Sequence, residues 1–222
     1  MYSTWKQPVL HRCDQDFFAH FHYHASRVLG KGTYGEVLQA TSIKPGRPDR
    51  ALKRFPLRTA DGQIDSKQFE LFYTEATSTF NLQHRCLVNT YGGVLCPDFA
   101  YIAMDVYPKG DLMKNIPSLD LRQMCRYTVD IACAVHYLHR NRVLHHDIKA
   151  NNIFLSEKNA FLADLGLTMP VADGKHTVNY RFGNTFFQAP EMKQDPLVPF
   201  CPFKVSVMSL LISLQCLPCP HM

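Results

Sequence analysis

The sequence predicts an α+β chain in two parts: a small β-rich first part with one main helix, and a mostly helical second part. Three observations predict it. Between residues 25 and 105, short apolar runs of strand length are separated by turn signals, and only Ser66 to Gln83 has a helical pattern. At Pro108-Lys109-Gly110 that composition gives way to breakers, as at a boundary between lobes. Beyond it, Leu119 to His139 holds the best-formed helical period in the chain. The expected divisions are a leader over 1–24, a β-rich lobe over 25–105, an incomplete helical lobe over 106–200 and a divergent apolar tail over 201–222.

At 222 residues and 46% hydrophobic, the chain can bury a sizeable core. Its net charge of +5 is mild and its Lys and Arg are scattered, which leaves no electrostatic footprint for nucleic acid. Met1 to Leu10 has no apolar run of the secretory kind, so the expected location is cytoplasmic or nuclear. The apolar end, Leu210 to Met222, is about half the length of a spanning helix, and no membrane span is expected. The eight cysteines lie far apart and read as reduced thiols. Only Cys216 and Cys219 have C-x-x-C spacing, without the two further ligands of a zinc site.

Residues 1–24 carry Phe17, Phe18, His20, Phe21, His22, Tyr23 and His24 without clear helical period, and read as strand edge and leader. No carboxylate or cysteine spacing completes a metal site around these histidines. Next, Gly30, Gly32 and Gly35 space as G-x-G-x-x-G. A dinucleotide fingerprint needs a helix to open at the third glycine. Here Glu36-Val37-Leu38-Gln39-Ala40 continues as a strand, so the glycines close a β-hairpin with Thr33 and Tyr34 at its bend. Free of Cβ atoms, such a hairpin can lay backbone amides over a triphosphate. Ala51-Leu52-Lys53-Arg54-Phe55 is an apolar strand interrupted by Lys53. The helix entered after Asp65 or Ser66 offers that lysine two acidic partners. Glu75 shares a face with Phe72, Thr79 and Leu82, whereas Glu70 falls beside the polar Thr74 and Thr77, so Glu75 is the choice. His84 to Val94 and Ala100 to Asp105 read as two further strands.

In the second part, Leu121, Met124, Thr128, Ala132, Val135 and Leu138 make one face of the long helix. It delivers the chain to Val143-Leu144 and then to His145-His146-Asp147-Ile148-Lys149-Ala150-Asn151-Asn152. Two short strands follow, Ile153-Phe154-Leu155 and Ala160-Phe161-Leu162-Ala163, and then Asp164-Leu165-Gly166. Phosphoryl transfer on magnesium needs such a set on loops: a carboxylate for the incoming hydroxyl, a cation for the phosphate and two oxygen ligands for the metal. A mostly polar stretch then closes on Gly183-Asn184-Thr185-Phe186-Phe187-Gln188-Ala189-Pro190-Glu191.

The Gly hairpin, the strand Lys, the helix Glu, D-x-K-x-x-N from Asp147, D-x-G from Asp164 and A-P-E from Ala189 occur in this order over Gly30 to Glu191. Together they resemble the eukaryotic-type protein kinases, and Lys149 resembles their serine/threonine branch. The resemblance implies a two-lobed protein-kinase-like fold that holds ATP and Mg2+ in its cleft. It implies that Asp147 accepts or orients the hydroxyl proton of a protein substrate, that Lys149 offsets charge on the moving phosphoryl group, and that Asn152 and Asp164 hold magnesium. Lys53, fixed by Glu75, would position the phosphates beneath the hairpin of Leu29, Gly30, Gly32 and Gly35. Val37, Ala51 and Phe154 would sandwich the adenine, with Met104 behind it and the Asp105 carbonyl and Tyr107 amide reading its edge.

The departures carry information. His146 replaces an Arg that in these kinases meets a phosphate on the activation segment. An imidazole, only partly charged near neutral pH, makes no fixed bidentate grip, so activity is expected not to depend on phosphorylation of that segment. Leu165 for Phe keeps an apolar plug, while Asn184 replaces Thr and Phe187 replaces Tyr. Lys204 to Leu211 is similar to a K-x-D-V-W-S-x-G helix, with Ser206 for Asp, Met208 for Trp and Leu211 for Gly. The short run after Glu191 is expected to leave apolar surface that a partner would cover. The expected function is an ATP-dependent serine/threonine protein kinase. The alternative is a truncated, non-catalytic module that binds nucleotide or a partner and regulates a full-length kinase.

Overall fold

The structure, a computed structural model, describes residues 5–32 and 35–171. Of these, 5–83 and 89–106 form one compact unit, and 84–88 with 107–171 form another. Both strand and helix are present, as the α+β reading expects.

The first unit is built on a sheet of β1 (Leu10–Arg12), β2 (Tyr23–Gly32), β3 (Gly35–Ser42), β4 (Arg50–Pro56), β5 (Thr90–Leu95) and β6 (Phe99–Met104). Helix α1 (Phe17–Phe21) follows β1, and α2 (Ser66–Asn81) follows β4. The strand order is β1-β5-β6-β4-β3-β2. β1 runs parallel to β5, and the other pairings are antiparallel. The two-residue period of strands sorts side chains onto opposite faces. Leu52 and Tyr101 take one face, Ala51, Phe55 and Ile102 the other, and none is more than 5% exposed. On the second face Phe72 of α2 meets Phe55 edge-on at 5.7 Å between rings. On the first, Phe17 of α1 meets Tyr101 at 5.1 Å in a cluster with Cys13, Tyr23, Leu52 and Val94.

Asp65 starts α2 by accepting the N–H of Gln68 at 3.0 Å, which fixes the phase of the helix. Its buried residues are Phe72, Glu75, Ala76, Ser78 and Thr79, the face that the spacing predicts. The expected strand from His84 to Val94 is only partly one. β5 begins at Thr90, and the Leu87 N–H turns back to the His84 carbonyl at 2.9 Å. Cys86 and Leu87 are buried, but in the second unit, where the Val88 N–H reaches Leu162 O at 2.9 Å.

The second unit holds α3 (Leu112–Asn115), α4 (Leu121–Arg140), β7 (Val143–Leu144), β8 (Ile153–Leu155), β9 (Ala160–Leu162) and β10 (Met169–Pro170). β8 and β9 form an antiparallel hairpin, and β10 pairs with β7. α4 opens with a capping box: Asp120 accepts the Gln123 N–H at 2.7 Å, and Gln123 Oε1 accepts the Asp120 N–H at 3.1 Å. Its buried face is Tyr127, Asp130, Ile131, Ala134, Val135 and Leu138. Val135 and Leu138 are buried as expected, but the rest of the expected face is corrected, since Leu121 and Ala132 are exposed and Met124 and Thr128 only half-buried. Steps of three and four fit two neighbouring stripes here, and the one with the larger Tyr127 and Ile131 removes more apolar area from water. Asp130 ties this face to the hairpin, accepting the Ala160 N–H at 3.0 Å and Asn159 Nδ2 at 3.4 Å.

The hairpin bend at Thr33 and Tyr34, the stretch from Gly183 to Glu191, the run from Lys204 to Leu211 and the Cys216–Cys219 spacing lie outside the described residues. Among the described residues no helix is long and apolar enough to cross a membrane.

Candidate active site

In the first unit, sheet pairing sets Lys53 opposite Val37 on β3 and Ile102 on β6. α2 brings Glu75 to it, with Lys53 Nζ 2.6 Å from Glu75 Oε2 and the side chains 13% and 5% exposed. A pair this dry is costly to break from one side, because the remaining charge stays buried. Gly32 and Gly35 face each other where β2 and β3 meet. Gly35 has φ 145°, and a Cβ there would stand 2.2 Å from the Arg54 carbonyl oxygen, so only glycine fits. Gly30 and Leu29 lie on β2, and Val37 on β3 is half-buried. Ala51 is buried opposite Met104, the last residue of β6.

Asp105 follows, its N–H donating to Asn89 O at 3.2 Å. Its carboxylate accepts from Tyr91 Oη at 2.6 Å and Asn89 Nδ2 at 3.1 Å, with Arg50 at 3.5 Å. The Arg50 guanidinium also lies 3.9 Å over the Tyr91 ring. Sequence reasoning gave Asp105 a backbone role and missed this network, whose members are scattered along the chain.

In the second unit, Asp147 is 8% exposed. Its Oδ2 accepts from Lys149 Nζ at 2.6 Å and Asn152 Nδ2 at 2.8 Å. Asn152 Nδ2 also donates to the Asp147 carbonyl at 2.9 Å. His145 stands behind them, 1% exposed. The Asp147 N–H donates to its Nδ1 at 3.2 Å, so Nε2 carries the proton and donates to Ala163 O at 2.9 Å. Burial lowers the pKa of His145, against the pull of Asp147 and Asp164 on either side. One imidazole thus joins the loop of Asp147 to the residue before Asp164. Sequence reasoning quoted His145 and gave it no role, because its partner lies eighteen residues on and leaves no local signal.

Asp164 takes a left-handed conformation, φ 64°, and enters a tight turn, Leu165–Leu167, with Leu165 buried. His146 is also left-handed, φ 66°. Burial, helped by the neighbouring His145, pushes its pKa down to about 4, so the ring is neutral rather than partly charged at neutral pH. Tyr107 stacks on Phe154 at 5.9 Å and tilts against Phe161 at 4.7 Å, which makes an aromatic patch in this unit. The structure therefore brings Lys53 to Glu75 in one unit, and gathers Asp147, Lys149 and Asn152 in the other, with Asp164 linked through His145.

The protein kinase domain family model matches residues 23–197. The chain belongs to the protein kinase family. Three curated protein kinases are among the proteins it is similar to. Serine/threonine-protein kinase ppk16 of Schizosaccharomyces pombe is 29% identical over 177 residues, 78% of this chain and 25% of that protein. The carbon catabolite-derepressing protein kinase of Secale cereale is 31% identical over 183 residues, 77% of this chain and 34% of that protein. Serine/threonine-protein kinase Nek4 of Mus musculus is 29% identical over 177 residues, 75% of this chain and 21% of that protein. The chain thus spans about a third or less of the length of these kinases. The kinase-domain match takes in Lys53, Glu75, Asp147, Asn152 and Asp164 and begins at Tyr23, beyond β1 and α1.

The donor set suits magnesium. Asn152 Nδ2 donates to two oxygens of Asp147, which leaves Oδ1 for a cation, and Asp164 adds a carboxylate. Both are hard oxygen donors. Among the described residues no three His, Cys, Asp or Glu side chains gather as a metal site. An ion held by Asn152 and Asp164 would complete its shell with phosphate oxygens and water.

Proposed function

We propose that the chain is an ATP-dependent serine/threonine protein kinase that transfers the γ-phosphate of ATP to protein hydroxyls. The observation that carries this reading is the Asp147 carboxylate. It is buried, its Oδ2 is held by Lys149 and Asn152, and its Oδ1 is left to take the proton of an incoming hydroxyl. Bound MgATP would supply the γ-phosphorus under attack, with ADP as the leaving group.

The protein residues position and neutralise. Lys53, restrained by Glu75, offers a fixed ammonium to the α- and β-phosphates. Lys149 stands beside the base, where charge builds on the moving group. Asn152 and Asp164 hold the metal. Ala51 and Val37 on the sheet and Phe154 on the β8–β9 hairpin would give an adenine its apolar contacts. Fixing the reactants supplies most of the acceleration, because phosphoryl transfer needs little covalent help.

The test is γ-phosphate transfer to a generic basic protein beside an Asp147→Asn control. Transfer that falls at least about a hundredfold in the control is expected of a lost general base. Transfer unchanged by the substitution would contradict the assignment of Asp147. ATP-dependent thermal stabilisation without any transfer would identify a nucleotide-binding module instead.

A further inference from the structure

We propose that residues 6–13 form a strap that holds α2 where Glu75 meets Lys53, so that a segment outside the kinase-domain match sets the nucleotide-holding pair. The function of that pair rests on the reading above; the strap's action on it does not.

The strap grips the helix at one end and the sheet at the other. The Lys6 N–H donates to Asn81 Oδ1 at 2.9 Å, and Asn81 Nδ2 donates back to Lys6 O at 2.8 Å. This two-point clasp falls on the last residue of α2. Next to it, Gln7 Oε1 accepts from the hydroxyl of Tyr73, about two turns earlier on the helix. Leu10 then fills a notch beside Phe72. A Cβ on Gly93 would stand 2.7 Å from Leu10 Cδ2 and 3.0 Å from Phe72 Cζ, so glycine at 93 is what admits both side chains. Phe72 and Tyr73 precede Glu75 on α2 and Asn81 follows it, so the strap's contacts lie on either side of the acid.

At its far end the strap becomes sheet. β1 pairs with β5 through Leu10↔Gly93, His11↔Val94 and Arg12↔Leu95, and the Cys13 N–H closes on Leu95 O at 2.8 Å. Cys13 is then sealed into the core with Phe17 and Tyr101. Lys53 belongs to this sheet and Glu75 to the helix, so the strap is a bracket between the carriers of the two charges. A hydrogen-bonded pair at 2.6 Å weakens steeply once its carriers shift, which makes its occupancy sensitive to the bracket.

The experiment uses the full chain and reads the Lys53 amine rather than turnover. Acylation of Lys53 by an N-hydroxysuccinimide ester is followed by mass spectrometry in four proteins and one rescue variant, Leu10→Met. The four are the wild type, a strap variant (Gln7→Ala with Leu10→Ala), a helix-side variant (Asn81→Ala) and Glu75→Gln, which gives the rate with the pair broken. Both the strap variant and Asn81→Ala are expected to label Lys53 at least about threefold faster than wild type, toward the Glu75→Gln rate, and Leu10→Met to restore slow labelling. Wild-type labelling in the strap variant, with hydrogen exchange showing the amides of residues 10–13 opened, overturns the proposal. Should the strap variant fail to fold, wild-type labelling in Asn81→Ala overturns it equally. Absence of phosphate transfer by the wild type would count against the kinase reading alone, because labelling needs no turnover.

Discussion

Burial holds His145 and His146 neutral, in adjacent positions with different consequences. For His145 the neutral ring is what lets one nitrogen accept from Asp147 while the other donates to Ala163. For His146 it removes the charge that a phosphate on the activation segment would need. Replacing every Ser, Thr and Tyr between Met169 and Thr185 should therefore leave transfer within about threefold of wild type, and a loss of tenfold or more would contradict this. Burial also leaves a mark on stability. His139 and His146 sit at about 4 against an ordinary 6.5. Between those values the unfolded chain binds more protons than the folded one. Stability is then full above pH 6.5 and is lost as pH falls toward 4, by up to about 1.4 kcal/mol per pH unit for each ring. Urea midpoints measured across that range should show the slope, and His146→Gln should remove close to one proton of it. A variant with the wild-type slope would contradict the neutral assignment. None of this was legible in the sequence, because burial is a property of the neighbours and not of the letter at position 146.

Helices and strands were readable where one face had an unambiguous period. α2 is the clear case: Phe72, Glu75 and Thr79 step by three and four, and that face is the buried one. α4 was found and its face read correctly at Val135 and Leu138 but not before them, because two apolar stripes run side by side and side-chain size decides between them. At the N-terminus a strand edge was expected, but the bounds of β1 and the whole of α1 were missed for a different reason. A strand of three residues and a helix of five are too short to show a period, and their partners lie far along the chain. Asp130 belongs with these long-range features, since a carboxylate on a helix face reads as solvated until its hairpin is in view. Asp130→Ala leaves the buried Ala160 N–H without its acceptor, an expected cost of about 1–3 kcal/mol. Urea unfolding should show that loss, with faster amide exchange in β8 and β9. A change below about 0.5 kcal/mol would mean that water replaces the carboxylate.

At the scale of the whole molecule, the two units contribute different chemistry. The first holds the Lys53–Glu75 pair and the facing Gly32 and Gly35, the second the Asp147 carboxylate held by Lys149 and Asn152. The order of the motifs along the chain was legible because a shared chemistry repeats the same residue types at workable spacing. The family match over residues 23–197 spans all of them. What holds each group in place was less legible, since the His145 bridge, the Asp105 network and the strap depend on contacts between distant residues. The central claim is that Lys53 and Asp164 act on one nucleotide. It is tested most directly by titrating MgATP into the wild type, Lys53→Ala and Asp164→Asn. Each substitution should weaken binding at least about tenfold, and chelating the magnesium should abolish the effect of Asp164→Asn while leaving that of Lys53→Ala. Wild-type affinity in either variant would contradict the account.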